Sequence, residues 1–176
     1  MKNLLEKRVK FSPTIQMKKK VIIGVGSNKG NKMKNIKMGI KDLQEFINIE
    51  KISSFIETPP MEGARGNNFL NGVIAGTTQF TPYELLEILK NTEKKIGRKF
   101  PHKKGDEREI DLDIIFYSNE VLNTKKLKIP HPRYRKRYFV MEPLVEIEPE
   151  FVDPELNKKV IEIYKEFKNG NSGKNF

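Results

Sequence analysis

Two aspartates, Asp111 and Asp113, lie two residues apart within the apolar and β-branched run 110–117. Such a run predicts a mostly buried strand, in which every second side chain points to the same face. The two carboxylates therefore share a face, with their Cα atoms roughly 7 Å apart. Because like charges that lose hydration repel each other, a divalent metal would neutralise them, and Arg108 supplies a further cation. Carboxylates, metal and arginine suit phosphate chemistry, while a strand rim whose acids meet surface lysines explains the same letters.

Basic residues surround this acidic run in the sequence. The chain of 176 residues has a net charge of +11, from 34 basic and 23 acidic residues. A field of this sign attracts polyanions. Two basic clusters, at 99–108 and 125–137, flank the acidic run on both sides. Their placement favours a local phosphate site over a general nucleic-acid surface, although many single lysines are also consistent with a compositional bias.

Composition limits the class of protein. With 36% hydrophobic and 32% charged residues, the chain is expected to fold as one domain. It has no apolar run of the roughly 20 residues that a membrane span needs, and no apolar segment typical of a secretory signal. The absence of cysteine excludes disulfides and thiolate metal sites. We expect a cytoplasmic protein with a basic extension at 1–17, one domain at 18–168 and a frayed tail at 169–176.

Apolar periodicity predicts the elements that position the acidic run. Strands are expected at 21–26, 49–57, 69–77 and 110–117. Helical spacing after the first strand predicts an amphipathic helix from Met33, Ile36, Ile40, Leu43 and Ile47. A second helix is expected to begin at Thr81-Pro82-Tyr83-Glu84 and to end at Gly97.

The order β-α-β-β-α-β predicts an α+β fold with a ferredoxin-like core and a mainly antiparallel sheet. We expect helices on one face of this sheet and ligands on the opposite face. C-terminal additions are predicted as well, namely a short helix from about 135 to 143 and an amphipathic helix over 160–167.

Two loop segments each have two interpretations. The glycine-rich stretch 24–30 fits neither the dinucleotide nor the Walker spacing, so we interpret it as a tight turn that a ligand or another backbone approaches. Thr58-Pro59-Pro60 either ends a strand or forms a rigid rim beside a flat heterocycle. Phe69 and Asn71 are either a core residue and an edge residue, or an aromatic and an amide that face such a ring.

Two further side chains, those of His131 and Glu93, each have two interpretations. His131 stands between two prolines, where it is a structural turn residue or a contact to a phosphate or ribose. Glu93 lies on the buried row of the second helix, where it pairs with an arginine such as Arg98 or snorkels at the edge of the stripe.

Seven short motifs occur in an order that resembles the 6-hydroxymethyl-7,8-dihydropterin pyrophosphokinases, a family of folate biosynthesis. The resemblance extends from about residue 21 to residue 154. The motifs are Gly26-Ser27-Asn28, Thr58-Pro59-Pro60, Phe69-Leu70-Asn71, Gly97-Arg98, Arg108-x-x-Asp111-Leu112-Asp113-Ile114, Pro130-His131 and Arg137-x-Phe139.

This resemblance implies transfer of the β,γ-diphosphate of ATP to the hydroxymethyl group of the pterin, with release of AMP. It implies catalytic roles for Arg98, Arg108, Asp111 and Asp113, and two Mg²⁺ ions held by the two aspartates. The implied ATP contacts are Leu70, Glu93, Arg98, Arg108, Ile114, Lys126, His131 and Arg137. The implied pterin contacts are Gly26, Thr58, Pro59, Met61, Phe69, Asn71 and Phe139.

The loop before the acidic strand departs from the family pattern. Lys104-Gly105-Asp106-Glu107-Arg108 lacks the usual tryptophan and proline, and Phe100 replaces a second loop arginine. The effect on the turnover rate is therefore open, and an inactive homologue is an alternative.

Two other classes of protein are alternatives. An RNA-binding module would share the topology, but the stretch 69–75 lacks the basic-glycine-aromatic pattern. A nucleotidyltransferase ranks low, because more than 80 residues separate Ser27 from Asp111. We expect a monomer that binds ATP and the pterin, and neither nucleic acid nor a membrane.

Overall fold

The structure is a computed structural model that describes residues 17–60, 66–97 and 105–170. The predictions for Met61 and Arg98 lie outside these residues. The same holds for most of the altered loop, for residues 1–16 and for residues 171–176.

An antiparallel sheet of five strands is the centre of the described part of the chain. Its strands are β1 (Lys19–Ser27), β2 (Ile47–Ile52), β3 (Ile56–Thr58), β4 (Phe69–Thr78) and β5 (Asp111–Tyr117). Strand β1 lies between β4 and β5, while β4 also pairs with β2 and β3. Helix α1 (Lys32–Leu43) follows β1, and helix α2 (Pro82–Ile96) follows β4. The predicted ferredoxin-like order and antiparallel sheet are confirmed.

Local signals define both helices of this core. Asn31 caps α1, since its side chain accepts a hydrogen bond from the Lys34 amide at 3.0 Å. Thr81 and Glu84 form the expected capping box of α2, and Gly97 ends that helix with a φ of 117°, a left-handed conformation that favours glycine. None of the described helices is long and apolar enough to cross a bilayer.

The strand predicted over 49–57 is two strands in the structure. It begins at Ile47, which pairs with Thr78 and therefore belongs to the sheet, not to the preceding helix. The break between β2 and β3 follows from Ser53. Its hydroxyl accepts a hydrogen bond from the Val73 amide at 2.8 Å, where a regular strand would offer a backbone carbonyl.

Both faces of the sheet are covered, so the expectation that one face is left to ligands is wrong for part of it. Alternate residues of β1 enter two separate cores: Ile23 packs towards α1 and α2, and Ile22 packs on the opposite face. That second face is covered by a 3-10 helix (Tyr134–Lys136), α3 (Tyr138–Ile147) and α4 (Val160–Gly170). Two short hairpins complete the C-terminal part, β6 (Leu122–Asn123) with β7 (Lys128–Ile129) and β8 (Val152–Asp153) with β9 (Lys158–Lys159).

Helix α3 differs from the short helix expected near 135–143. The chain makes one 3-10 turn and then an α-helix that continues past Pro143 to Ile147. Burial of Met141 and Leu144 against the sheet holds this helix, although proline lies within it.

Candidate active site

Strand register places glycines beside the two aspartates. Gly26 pairs with Asp111, and Gly24 pairs with Asp113, so these four residues share one face of the sheet. On the other side of β1, Gly26 pairs with Asn71. A Cβ atom on Gly26 would lie 2.9 Å from the Asn71 Oδ1 atom, closer than side chains normally approach. The glycines thus form a floor that lacks side chains, between carboxylates on one strand and an amide on another.

Arg108 is fixed next to Asp111. Its Nη1 atom lies 2.7 Å from the Asp111 carboxylate, and both side chains remain about one fifth exposed. Its backbone is held by Asn28, which is fully buried and accepts a hydrogen bond from the Arg108 amide at 2.7 Å. The Arg108 Nε atom is buried and has no hydrogen-bond partner among the described residues.

Asp113 shows that the two carboxylates are close enough to repel each other. Burial, and then the negative charge of Asp111, raise the pKa of Asp113 to about 6. Lys90 and Arg137 oppose this rise. The Asp113 carboxylate is therefore less favourable here than in solvent.

The donor set fits Mg²⁺. This ion prefers oxygen ligands, binds one or two protein carboxylates, and takes its other ligands from water and substrate phosphates. Asp111 and Asp113 supply two carboxylates on one face, and the described residues contain no group of three or more acidic, histidine or cysteine side chains arranged to hold a metal ion. Any ion held here would thus depend on the substrate for further ligands.

A second group of side chains forms the opposite end of the site. Asn71 donates a hydrogen bond from Nδ2 to the Thr58 hydroxyl at 2.9 Å, and both residues are buried. Thr58 pairs with Phe69 across β3 and β4. From the second layer, Phe139 lies at the start of α3, with the Arg137 guanidinium 5.5 Å from its ring centre. Because the Thr58 bond fixes its amide, Asn71 presents an oxygen to a planar ligand.

One cavity joins the two ends. The predicted site residues that line it are Gly26, Thr58, Pro59, Phe69, Asn71, Arg108, Asp111, Asp113, Arg137 and Phe139. Sequence analysis did not assign Gly24, Arg133 or Ile115, which line it too. The sequence did contain a signal for Gly24. It lies two residues before Gly26, the same spacing that separates Asp111 from Asp113, so the two glycines share one face of their strand. Among the arginines after His131, the resemblance implied Arg137, which lines the cavity, and gave no signal for Arg133.

Besides Glu93, four of the described residues that were predicted as ATP contacts do not line this cavity. Leu70 and Ile114 alternate with cavity residues and pack towards the core beneath α1 and α2. Lys126 pairs with Glu87 at 3.0 Å on the surface. His131 is held by its backbone amide, which donates to the Ile115 carbonyl at 2.9 Å. Their contacts with ATP stay predictions.

Glu93 has a different role from the predicted ATP contact. It is fully buried, and its carboxylate accepts a hydrogen bond from the Leu112 amide at 2.8 Å. Lys90 forms an ion pair with it at 3.2 Å. A carboxylate with no exposed surface offers nothing to a nucleotide, so the structure does not support a direct contact. Glu93 instead holds the strand between the two aspartates.

Together the fold and this cavity define a class: an α+β protein whose cavity combines two carboxylates and an arginine at one end with a buried amide and aromatic rings at the other. A family model described as 7,8-dihydro-6-hydroxymethylpterin-pyrophosphokinase matches residues 22–149. The chain belongs to this family. Membership argues against the RNA-binding and inactive alternatives, which nothing in the comparisons supports.

Curated relatives agree with this assignment. A 2-amino-4-hydroxy-6-hydroxymethyldihydropteridine pyrophosphokinase of Aquifex aeolicus is 44% identical over 156 residues, 89% of this chain and 94% of that protein. The Bacillus subtilis protein of the same name is 32% identical, over 82% of this chain and 89% of its own length. A folate synthesis bifunctional protein of Arabidopsis thaliana is 39% identical, but the match covers only 26% of its length.

Solved structures support the fold. The Plasmodium falciparum HPPK-DHPS wild type with STZ-DHP superimposes with a TM-score of 0.67 at 13% identity. The match covers 90% of this chain and 43% of that one, so the chain spans less than half of that structure. At this identity the likeness concerns the fold alone.

Proposed function

We propose that this protein transfers the β,γ-diphosphate of ATP to the hydroxymethyl group of 6-hydroxymethyl-7,8-dihydropterin and releases AMP, a step of folate biosynthesis. The observation that carries the proposal is the single cavity with two chemically different ends. One end combines two carboxylates with an arginine, and the other combines a buried amide with aromatic rings. Family membership supplies the identity of the substrates.

At the phosphate end, Asp111 and Asp113 would hold Mg²⁺, with two ions as the family resemblance implies. When bound, the metal neutralises charge on the phosphate oxygens. Arg108 lies 2.7 Å from Asp111 and lines the cavity, so its partly exposed side chain can donate to a phosphate oxygen. Its guanidinium would stabilise the negative charge that increases on the leaving phosphate.

At the pterin end, the buried Thr58–Asn71 pair would recognise the polar edge of the ring. Phe69 and Phe139 line the same cavity from two different layers of the fold and supply aromatic surface. An aromatic ring that approaches a planar heterocycle in an offset or edge-on arrangement stabilises it. The amide then selects ligands that both donate and accept hydrogen bonds.

In the reaction the substrate hydroxyl oxygen forms a bond to the β-phosphorus, and the bond from that phosphorus to the bridging oxygen of AMP breaks. The hydroxyl proton passes to solvent. Transfers of this type depend on alignment and on charge neutralisation. The glycine floor contributes to alignment, because it lets the hydroxymethyl arm approach the carboxylate end without meeting a side chain.

The test is a pterin-dependent assay with ATP and Mg²⁺. We expect AMP and pterin diphosphate in equal amounts, identified by chromatography and mass spectrometry. Asp111→Ala and Asp113→Ala should abolish turnover, while Glu120→Gln, a surface change on the turn after β5, should not. Formation of ADP or of free pyrophosphate would contradict the proposed reaction. The monomeric state and the cytoplasmic location remain predictions.

A further inference from the structure

A third arginine, Arg133, lines the cavity together with Arg108 and Arg137. The family resemblance gives it no role. It borders the same cavity as the two aspartates, where a metal-phosphate ligand is proposed. Its guanidinium can bind two phosphate oxygens side by side.

The backbone of Arg133 is held on both sides of its Cα atom. Its amide donates a hydrogen bond to the Nδ1 atom of His131 at 3.2 Å. Its carbonyl accepts a hydrogen bond from the Lys136 amide at 3.1 Å, which closes the 3-10 turn. The side chain is exposed, but it starts from a fixed point, so less conformational entropy is lost when it binds.

The next residues anchor the turn in the protein interior. Tyr134 is fully buried, its hydroxyl donates to the buried carboxylate of Asp153, and its ring packs edge-on against Phe116 at 4.9 Å between centres. Arg135 donates to the same carboxylate from Nε and Nη2, at 3.1 and 2.6 Å. Buried, fully paired networks of this kind hold one conformation.

Neighbouring arginines of this turn therefore have different tasks. Arg135 is bound to Asp153 and Glu155 and stabilises the turn. Arg133 and Arg137 flank the anchored residues Tyr134 and Arg135 in the sequence, and both line the cavity. Lys136 belongs to the same turn and has the same charge, yet it is exposed and does not line the cavity.

We propose that Arg133 is a further substrate-binding residue, whose guanidinium contacts a phosphate group of ATP. The inference rests on the proposed function, because it assigns a residue to the nucleotide of that reaction. It predicts a contribution to nucleotide affinity and none to pterin affinity.

The test measures binding of α,β-methylene ATP with Mg²⁺ by titration calorimetry. In this analogue the bond that the reaction breaks is replaced, so binding is observed without turnover. Arg133→Ala should raise its Kd about tenfold, the loss expected for a charge-assisted hydrogen-bonded pair. Lys136→Ala is the matched control and should change the Kd less than about twofold. The Kd of the pterin should stay within about twofold in both variants.

Two results would overturn the inference. One is an unchanged Kd in Arg133→Ala, and the other is an equal loss in Lys136→Ala, which would indicate long-range charge alone. Arg133→Gln provides a second variant, and equal thermal unfolding midpoints show that each variant is folded. The wild-type assay is done first: a wild type that releases no AMP contradicts the proposed function. An active wild type with an unaffected Arg133→Ala contradicts only this inference.

Discussion

Asp113 is electrostatically unfavourable in the metal-free protein. Its pKa is raised from the ordinary value of 3.8 to about 6, first by burial and then by Asp111. Between pH 3.8 and about 6, the Asp113 carboxyl of the folded protein binds more protons than the same carboxyl of the unfolded chain. The stability that Asp113 provides is therefore present at low pH and is lost as the pH rises through about 6.

We therefore predict that Asp113→Asn stabilises the metal-free protein at neutral pH. In the presence of a chelator, the thermal midpoint should rise by a few degrees near pH 7.5, because an unfavourable charge is removed, and by much less near pH 4, where Asp113 is protonated in the folded protein and partly protonated in the unfolded chain. Addition of Mg²⁺ with α,β-methylene ATP should reverse the order, since only the wild type keeps both carboxylates. A gain of equal size at both pH values would contradict the electrostatic cause.

Gly26 tests the geometry of the cavity floor. An added Cβ would meet the Asn71 Oδ1 atom at 2.9 Å, and Asn71 is held by Thr58, so the amide has to move. We predict that Gly26→Ala raises the KM of the pterin about tenfold while the KM of MgATP changes little. Gly24→Ala is the matched comparison, because its Cβ would meet the more adaptable Ile115 side chain at 3.3 Å. Steady-state kinetics measures both, and equal effects of the two changes on the pterin would contradict the prediction.

At the scale of the element, β5 is an edge strand whose outer side depends on helix α2. Glu93 accepts the hydrogen bond of the Leu112 amide, and Leu112 lies between the two aspartates. The carboxylate thus replaces a missing neighbouring strand. The buried carboxylate of Glu93 is therefore explained by the backbone amide of edge strand β5 that it satisfies.

We predict that Glu93→Ala lowers the free energy of unfolding by about 1 to 3 kcal/mol, the cost of a buried amide without a partner. Turnover should fall as well, because the aspartates lose a fixed backbone between them. Glu93→Gln retains an acceptor oxygen and should lose less of both. Urea denaturation and the AMP assay provide the two measurements. The positioning role would be ruled out if Glu93→Gln lost as much as Glu93→Ala.

Patterns within single elements were sufficient to predict β1, β4, β5 and the limits of α2. Residues distant in sequence decided the rest. Ser53 breaks a predicted strand because its hydroxyl reaches Val73. The helices of the second layer were expected as C-terminal additions, but their place on the second sheet face was missed, because the network around Asp153 joins residues that no periodicity connects. The same network separates Arg133 from Arg135, which are equivalent in sequence.

At the scale of the whole molecule, the net charge of +11 produces a positive field around the protein. MgATP is an anion, while the pterin carries no net charge. A positive field attracts only the former, and dissolved salt screens that attraction beyond about 10 Å at an ionic strength of about 0.1 M. The charges that contact the ligand are screened less.

We therefore predict that the two substrates respond differently to salt. Between about 20 and about 200 mM salt, the Kd of MgATP should rise several-fold, whereas the Kd of the pterin should stay within about twofold. Titration calorimetry on the wild type measures both. Lys37→Gln with Lys41→Gln, on the exposed face of α1, lowers the net charge without touching the cavity and should reduce the salt dependence of MgATP slightly. Equal salt effects on both ligands would mean that salt acts on the fold and not on the field, because only a field distinguishes a charged substrate from a neutral one.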